Sequence, residues 1–150
     1  MQEGYRNICR IARQTAGLTQ ERWAEALDIS VESVRLYESN KGAPSDEVVT
    51  RMIEVSSMPV LGYWHLLNKS RIAADILPEL QDCSLPQAVI QLICKMRDFG
   101  NNHRTDKLMD IAADVRIDEL ERPEFDAIMS ELSEIVRASM QLKYAQGGGE

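Results

Sequence analysis

Gly17-Leu18-Thr19-Gln20-Glu21-Arg22-Trp23-Ala24-Glu25-Ala26-Leu27-Asp28-Ile29-Ser30-Val31-Glu32-Ser33-Val34-Arg35-Leu36-Tyr37-Glu38 is the stretch that decides the fold. Thr19 has the side-chain oxygen of a good helix N-cap. It opens a short helix that carries Trp23, Ala24 and Leu27 on one face. Asp28-Ile29-Ser30 breaks that helix, and Ser30 caps another running through Val34 and Tyr37. Ala24 is small where two such helices must cross closely.

Outward from this pair the helical pattern continues. Ile8, Ile11, Ala12 and Thr15 stand at i, i+3, i+4 and i+7, one face of a helix ending near Gly17. Residues 39–44 read as a loop, and Ser45 with Asp46 and Glu47 caps a helix burying Val48, Val49, Met52 and Ile53. Pro59 suits the first turn of a fifth helix holding Val60, Leu61, Trp64 and Leu67. Short helices with a tight turn between the second and third are the layout of a helix-turn-helix.

A second region starts around residue 70. Ser84 and Gln87 form a capping box for a helix to Phe99, closed by Gly100. Leu85, Val89, Leu92, Met96 and Phe99 are spaced 4, 3, 4, 3, the seam of a helix packing lengthwise on another. Leu108, Ile111, Ala112 and Val115 mark a further helix. Asp118 and Glu121 cap a long one, in which Phe125, Ile128, Leu132, Ile135, Ser139 and Leu142 repeat. The two seams offer a second candidate dimer interface or, more simply, the core of a small bundle, and core is the plainer reading. No alternating strand pattern or hairpin turn is present, so the expectation is an all-α chain. Its organisation is a five-helix domain over 4–69, a helical region over 70–145 and a loose tail over 146–150.

The 150 residues are 44% apolar and 27% charged, ordinary for a packed soluble chain. No apolar run is long enough for a membrane span, and the first residues lack the apolar stretch of a secretory leader. Cys9, Cys83 and Cys94 are too widely spaced for a disulfide framework or a zinc site, which suits the cytoplasm. His65 and His103 lack ligand spacing, and the acidic stretch 110–121 lacks the core of a calcium loop. Trp23 and Trp64 read as core. With no phosphate loop, nucleophile–base set or metal cluster in view, neither an enzyme nor a cofactor is expected. The net charge of −7 is the adverse sign for a nucleic-acid partner. It is concentrated after residue 57, with 10 basic and 15 acidic residues there against 7 and 9 before. Affinity for phosphate alone should therefore be weak.

Arg13, Gly17 to Gln20, Trp23-Ala24, Val34, Tyr37-Glu38 and Pro44 fall together on one pattern. In these positions residues 5–68 resemble the Cro/CI-type (XRE) repressor family, which implies a lambda-repressor-like domain of five helices. Asp28 and Asn40 stand where that family usually has Gly, and Trp23 where it usually has Leu. Asp and Asn tolerate positive φ better than most residues. The resemblance implies a structural ion pair between Arg13 and Glu38 and contact with double-stranded DNA. Thr19 and Gln20 would hold phosphate at the start of the second helix. Val31, Glu32 and Leu36 would face bases, with Ser33 and Arg35 beside them, and Asn40 and Lys41 would clamp phosphate from the loop. It implies a regulator, a repressor in the first instance, reading an inverted repeat as a homodimer paired through Val60–Leu67. Two rivals remain: an adaptor or antitoxin whose C-terminal helices bind a protein, and a regulator whose C-terminal bundle senses a ligand.

Overall fold

A computed structural model of the chain describes residues 6–113 and 116–145. Among these residues there are nine helices and no strand. The helices are α1 (Ile8–Thr15), α2 (Gln20–Leu27), α3 (Val31–Glu38), α4 (Asp46–Ser56), α5 (Val60–Lys69), α6 (Arg71–Ile76), α7 (Leu85–Asn101), α8 (Arg104–Ala113) and α9 (Arg122–Tyr144). They divide into two compact units, Met1–Pro78 and Glu79–Glu150. Residues 4 and 5, Val115 and the 146–150 tail lie outside the described residues.

In the first unit α1 to α4 each start on a side chain that accepts a backbone N–H, whereas α5 starts at Pro59 with no side-chain cap. Asn7 takes the amide of Arg10, Thr19 that of Arg22, Ser30 that of Ser33 and Ser45 that of Val48. Each cap satisfies a donor that the helix itself leaves unpaired. The turns need left-handed backbone at Gly17 (φ 68°), Asp28 (φ 52°) and Asn40 (φ 59°). Asp28 closes α2 there, its N–H and that of Ile29 returning to carbonyls of the last turn.

The core gathers Ala12, Trp23, Leu27, Val34, Met52 and Leu61, all fully buried. Trp23 is accommodated by its indole N–H, which donates to Cys9 Sγ at 3.4 Å. The Leu usual at this position makes no such bond. Several expected core positions differ, and Ile11, Ile53 and Leu67 are only half-buried. On α1, Cys9 is buried while Thr15 is exposed. On α5 the buried set is Val60, Leu61, Tyr63 and His65, and Trp64 stays half-buried under the Arg6 guanidinium, 4.6 Å from its ring. Tyr63 reaches the Pro78 carbonyl with its hydroxyl, and α6 packs on α5. The expected domain over 4–69 lies within this longer unit.

The second unit is built on α7 and α9, which run antiparallel. The start of α7 lies beside the end of α9, where Gln141 Nε2 donates to the Gln81 carbonyl at 3.0 Å. Farther along, Lys95 pairs with Glu134 at 3.6 Å. Ser84 and Gln87 make their capping box, and Asp118 accepts the amides of Leu120 and Glu121 ahead of α9. α7 runs through Gly100 to Asn101, and the reversal falls on His103 (φ 54°) instead.

The two seams are not the core. Leu85, Met96 and Ser139 are exposed and the rest are half-buried, except Ile128. The buried contacts are Ala88, Ile128, Ala138 and Gln141, so each helix is turned away from its seam. Gln141, held to Gln81 and Cys83 just before α7, and the Lys95–Glu134 pair sit on this contact instead.

Candidate nucleic-acid interface

The geometry of α2 and α3 is set by one buried carboxylate. Glu38, 5% exposed at the end of α3, receives Arg13 Nε on Oε1 at 2.6 Å and Arg13 Nη2 on Oε2 at 3.1 Å. Gln20 Nε2 donates to the same Oε2 at 2.9 Å, and Arg13 Nη1 reaches the Leu18 carbonyl at 2.9 Å. Burial pushes the Glu38 carboxyl pKa up, but the bonds from Arg13 and Gln20 outweigh it and hold it below the ordinary range. A fork of two parallel N–H···O bonds fixes direction as well as distance. α1, the start of α2 and the end of α3 are thereby locked together.

A second clamp holds the loop after α3. Asn7 Nδ2 lies 2.9 Å from the Tyr37 carbonyl, 3.1 Å from the Glu38 carbonyl and 2.6 Å from Asn40 Oδ1. Arg10 Nη2 donates to the Glu38 carbonyl at 2.9 Å. The sequence reading did not single out Asn7 or Arg10. The signal for Asn7 was its place as an N-cap, but nothing in the spacing shows its three carbonyl partners.

On this frame α3 presents an outer strip. Glu32, Arg35 and Leu36 are exposed, with Arg35 Nη1 3.8 Å from Glu32 Oε2 one turn away. Val31 and Ser33 are half-buried, and the Ser33 hydroxyl lies 2.9 Å from that of Ser30. Thr19 is exposed and occupied as the α2 cap. Gln20 is half-buried with its amide turned to Glu38, so its side chain faces the frame. Asn40 and Lys41 are exposed on the loop, close to the end of α3 through the Lys41 N–H on the Leu36 carbonyl. Arg22, exposed on α2 and paired only loosely with Glu25 at 3.0 Å, is a cation the sequence reading passed over. Arg51, by contrast, is committed to the Leu27 carbonyl at 2.5 Å.

Chemically this is a short rigid rod with a mixed outer face. Eight residues at 1.5 Å each make α3 about 12 Å long, and its helical diameter of about 10–12 Å matches the width of a DNA major groove. The capped starts of α2 and α3 each present backbone N–H groups and a positive helix end. Among the described residues no group of three or more His, Cys, Asp or Glu could hold a metal ion, and no helix is long and apolar enough to cross a membrane.

No curated protein and no solved structure matches the chain. Residues 10–55 match the family model described as "Helix-turn-helix". The match runs from α1 into the last turn of α4 and takes in the whole Glu38 frame. Residues 10–55 of this chain are a helix-turn-helix of the XRE family, a DNA-binding domain, with a helical region following it.

Proposed function

We propose that the protein is a sequence-specific transcriptional regulator, a repressor, that binds an inverted-repeat operator as a homodimer in the cytoplasm. The observation that carries this reading is the family match over 10–55 together with the exposed Glu32, Arg35 and Leu36 strip on its third helix. In such motifs the start of that helix enters the major groove, and two copies read half-sites about one helical turn apart.

Within this reading Arg35 donates to a guanine or a phosphate, Glu32 accepts from a cytosine amine, and Val31 and Leu36 meet thymine methyls. Ser33 stands beside them. Thr19, Lys41 and Asn40 hold phosphates, joined by Arg22. Gln20 contributes its backbone N–H at the α2 start, because its side chain is taken by Glu38. Release of Arg35 from Glu32 is part of docking. The acidic composition keeps non-specific binding weak, so discrimination comes from base contacts and from pairing two copies. The helices after residue 70 serve oligomerisation.

The test is selection of sheared host genomic DNA on the purified chain at about 0.15 M salt. A few discrete fragments sharing an inverted repeat support the reading. Recovery at background level from a folded protein refutes it and turns attention to a protein partner.

A further inference from the structure

The apolar side chains of the second unit are distributed unlike those of the first. Among its described residues the buried hydrophobic ones are Leu80, Ala88, Ile111, Ile128 and Ala138, two of them alanines. On α7 and α9, Leu85, Ile90, Ile93, Met96, Met129 and Val136 are between 41% and 61% exposed. So small a fully buried set leaves much of the apolar surface of α7 and α9 open in the single chain.

Four of these side chains, Ile93, Met96, Met129 and Val136, share one side of the helix pair. α7 and α9 are antiparallel and meet through Ala88, Lys95, Glu134, Ala138 and Gln141. A step of about 100° per residue then sets Val89, Ile93 and Met96 on the same side of the pair as Met129, Leu132 and Val136. Gln91, Lys95, Glu134 and Arg137 line a polar cleft on the other side. The apolar side is thus a continuous stripe along two helices, free of charge at its centre.

We propose that this stripe is a two-fold interface with a second copy of the chain, so that the homodimer is held through α7 and α9 and not through α5. The area fits that occupant. Ile93, Met96, Met129 and Val136, 43–57% exposed, at on the order of 100 Å² each and the less exposed Val89 and Leu132 at about 50 Å² each present roughly 500 Å², the size of the largest patch on a typical monomer. A second copy covers the stripe on both chains, removing roughly 1,000 Å², the entry size for a specific interface. A self-complementary stripe satisfies the symmetry, since each residue meets its mate's counterpart. The charge fits as well. Residues 79–150 carry 8 basic and 14 acidic groups, so self-association requires a face without charges, and this is such a face. On α5, Leu66 alone among large apolar side chains is exposed.

For its purpose the inference rests on the dimeric reading of an operator, and it is tested without DNA. Light scattering on the full chain is expected to give about 34 kDa, twice the 17.0 kDa of one copy. The Ile93→Arg, Val136→Arg variant is expected at the monomer mass, with dissociation at least about a hundredfold easier and unchanged helical circular dichroism. Leu66→Arg is expected to remain dimeric. Both positions are open in the single chain. Should the arginines unfold the unit, Ile93→Ser with Val136→Ser is read in the same way. A wild-type chain that stays monomeric at about 100 µM, or a stripe variant that remains dimeric while folded, overturns the proposal. A dimer that recovers no DNA refutes the operator reading and leaves the interface standing.

Discussion

Glu38→Ala removes the acceptor on which three donor groups converge. Its carboxylate is almost fully enclosed, and the Arg13 side chain facing it is 18% exposed. Removing one member of a buried pair costs about 3–5 kcal/mol, because the remaining charge has no counterpart. Arg13 keeps its bond to the Leu18 carbonyl and some contact with solvent, so the lower end, about 3 kcal/mol, is expected. The loss falls on the first unit alone. Trp23 and Trp64 are the two tryptophans of the chain, and both lie in that unit, so indole fluorescence follows its unfolding in urea without interference from the second. With a slope of about 1–3 kcal/mol per molar urea, the midpoint should fall by at least about 1 M. Glu38→Gln, which can still accept one bond, should lie between. A Glu38→Ala loss under about 1 kcal/mol would falsify the account of this carboxylate as the lock on the motif.

Acid should act through the same group. Glu38, Asp46 and Glu134 all have pKa values below their ordinary 4.5, 3.8 and 4.5. Asp46 owes this first to Lys69 and then to His65, and Glu134 first to Arg137. A depressed pKa means the unfolded chain binds protons first, so their stabilisation is full above those ordinary values and is lost as pH falls below them. A urea midpoint constant from pH 7 to 3 would contradict this. On DNA, Arg35→Ala should cost about 1–3 kcal/mol at one base pair and relax the preference there. Lys41→Ala should weaken all sequences alike and lower the salt slope by about 1, as gel-shift titration at several salt concentrations would show. Gly17→Ala should destabilise by about 1 kcal/mol through its φ of 68° alone, since an added Cβ meets nothing within 4 Å. Burial pushes the Cys9 thiol up to about 11, so a thiol reagent at pH 8 should modify Cys83 and Cys94 in the native protein well before Cys9.

What could be read in the sequence follows from how local each determinant is. Helices α1 to α5 were visible because Thr19, Ser30 and Ser45 are caps acting within their own first turns. α6 escaped because its six residues bury nothing, leaving no periodic face to find. The seams on α7 and α9 were real, but only the bundle-core half of their reading fails, since most seam residues are half-buried or exposed. A 4, 3 spacing shows that a helix has an apolar stripe, not which neighbour the stripe meets, and here Gln141 and Lys95 take the contact between the helices. At the candidate interface, residue types pointed to Arg35, Leu36 and Lys41, all of which are exposed. The Gln20 side chain was read as a phosphate contact because its partner Glu38 lies eighteen positions away, and nothing local shows that a carboxylate already held by Arg13 also accepts the Gln20 amide.

The Asn7 amide reaches both last carbonyls of α3 and the Asn40 side chain of the following loop. The pair α2–α3 is therefore not a cassette that can be lifted into another scaffold. A graft of residues 19–38 would leave behind Arg13 and Asn7, and with them the arginine fork and the stopper that ends α3. Any portable piece must begin no later than Asn7 and run past the loop through α5, because Met52 and Leu61 complete the core around Trp23. Swapping specificity between such regulators would accordingly succeed by exchanging the outer residues of α3 in place, and fail by exchanging the two helices as a block.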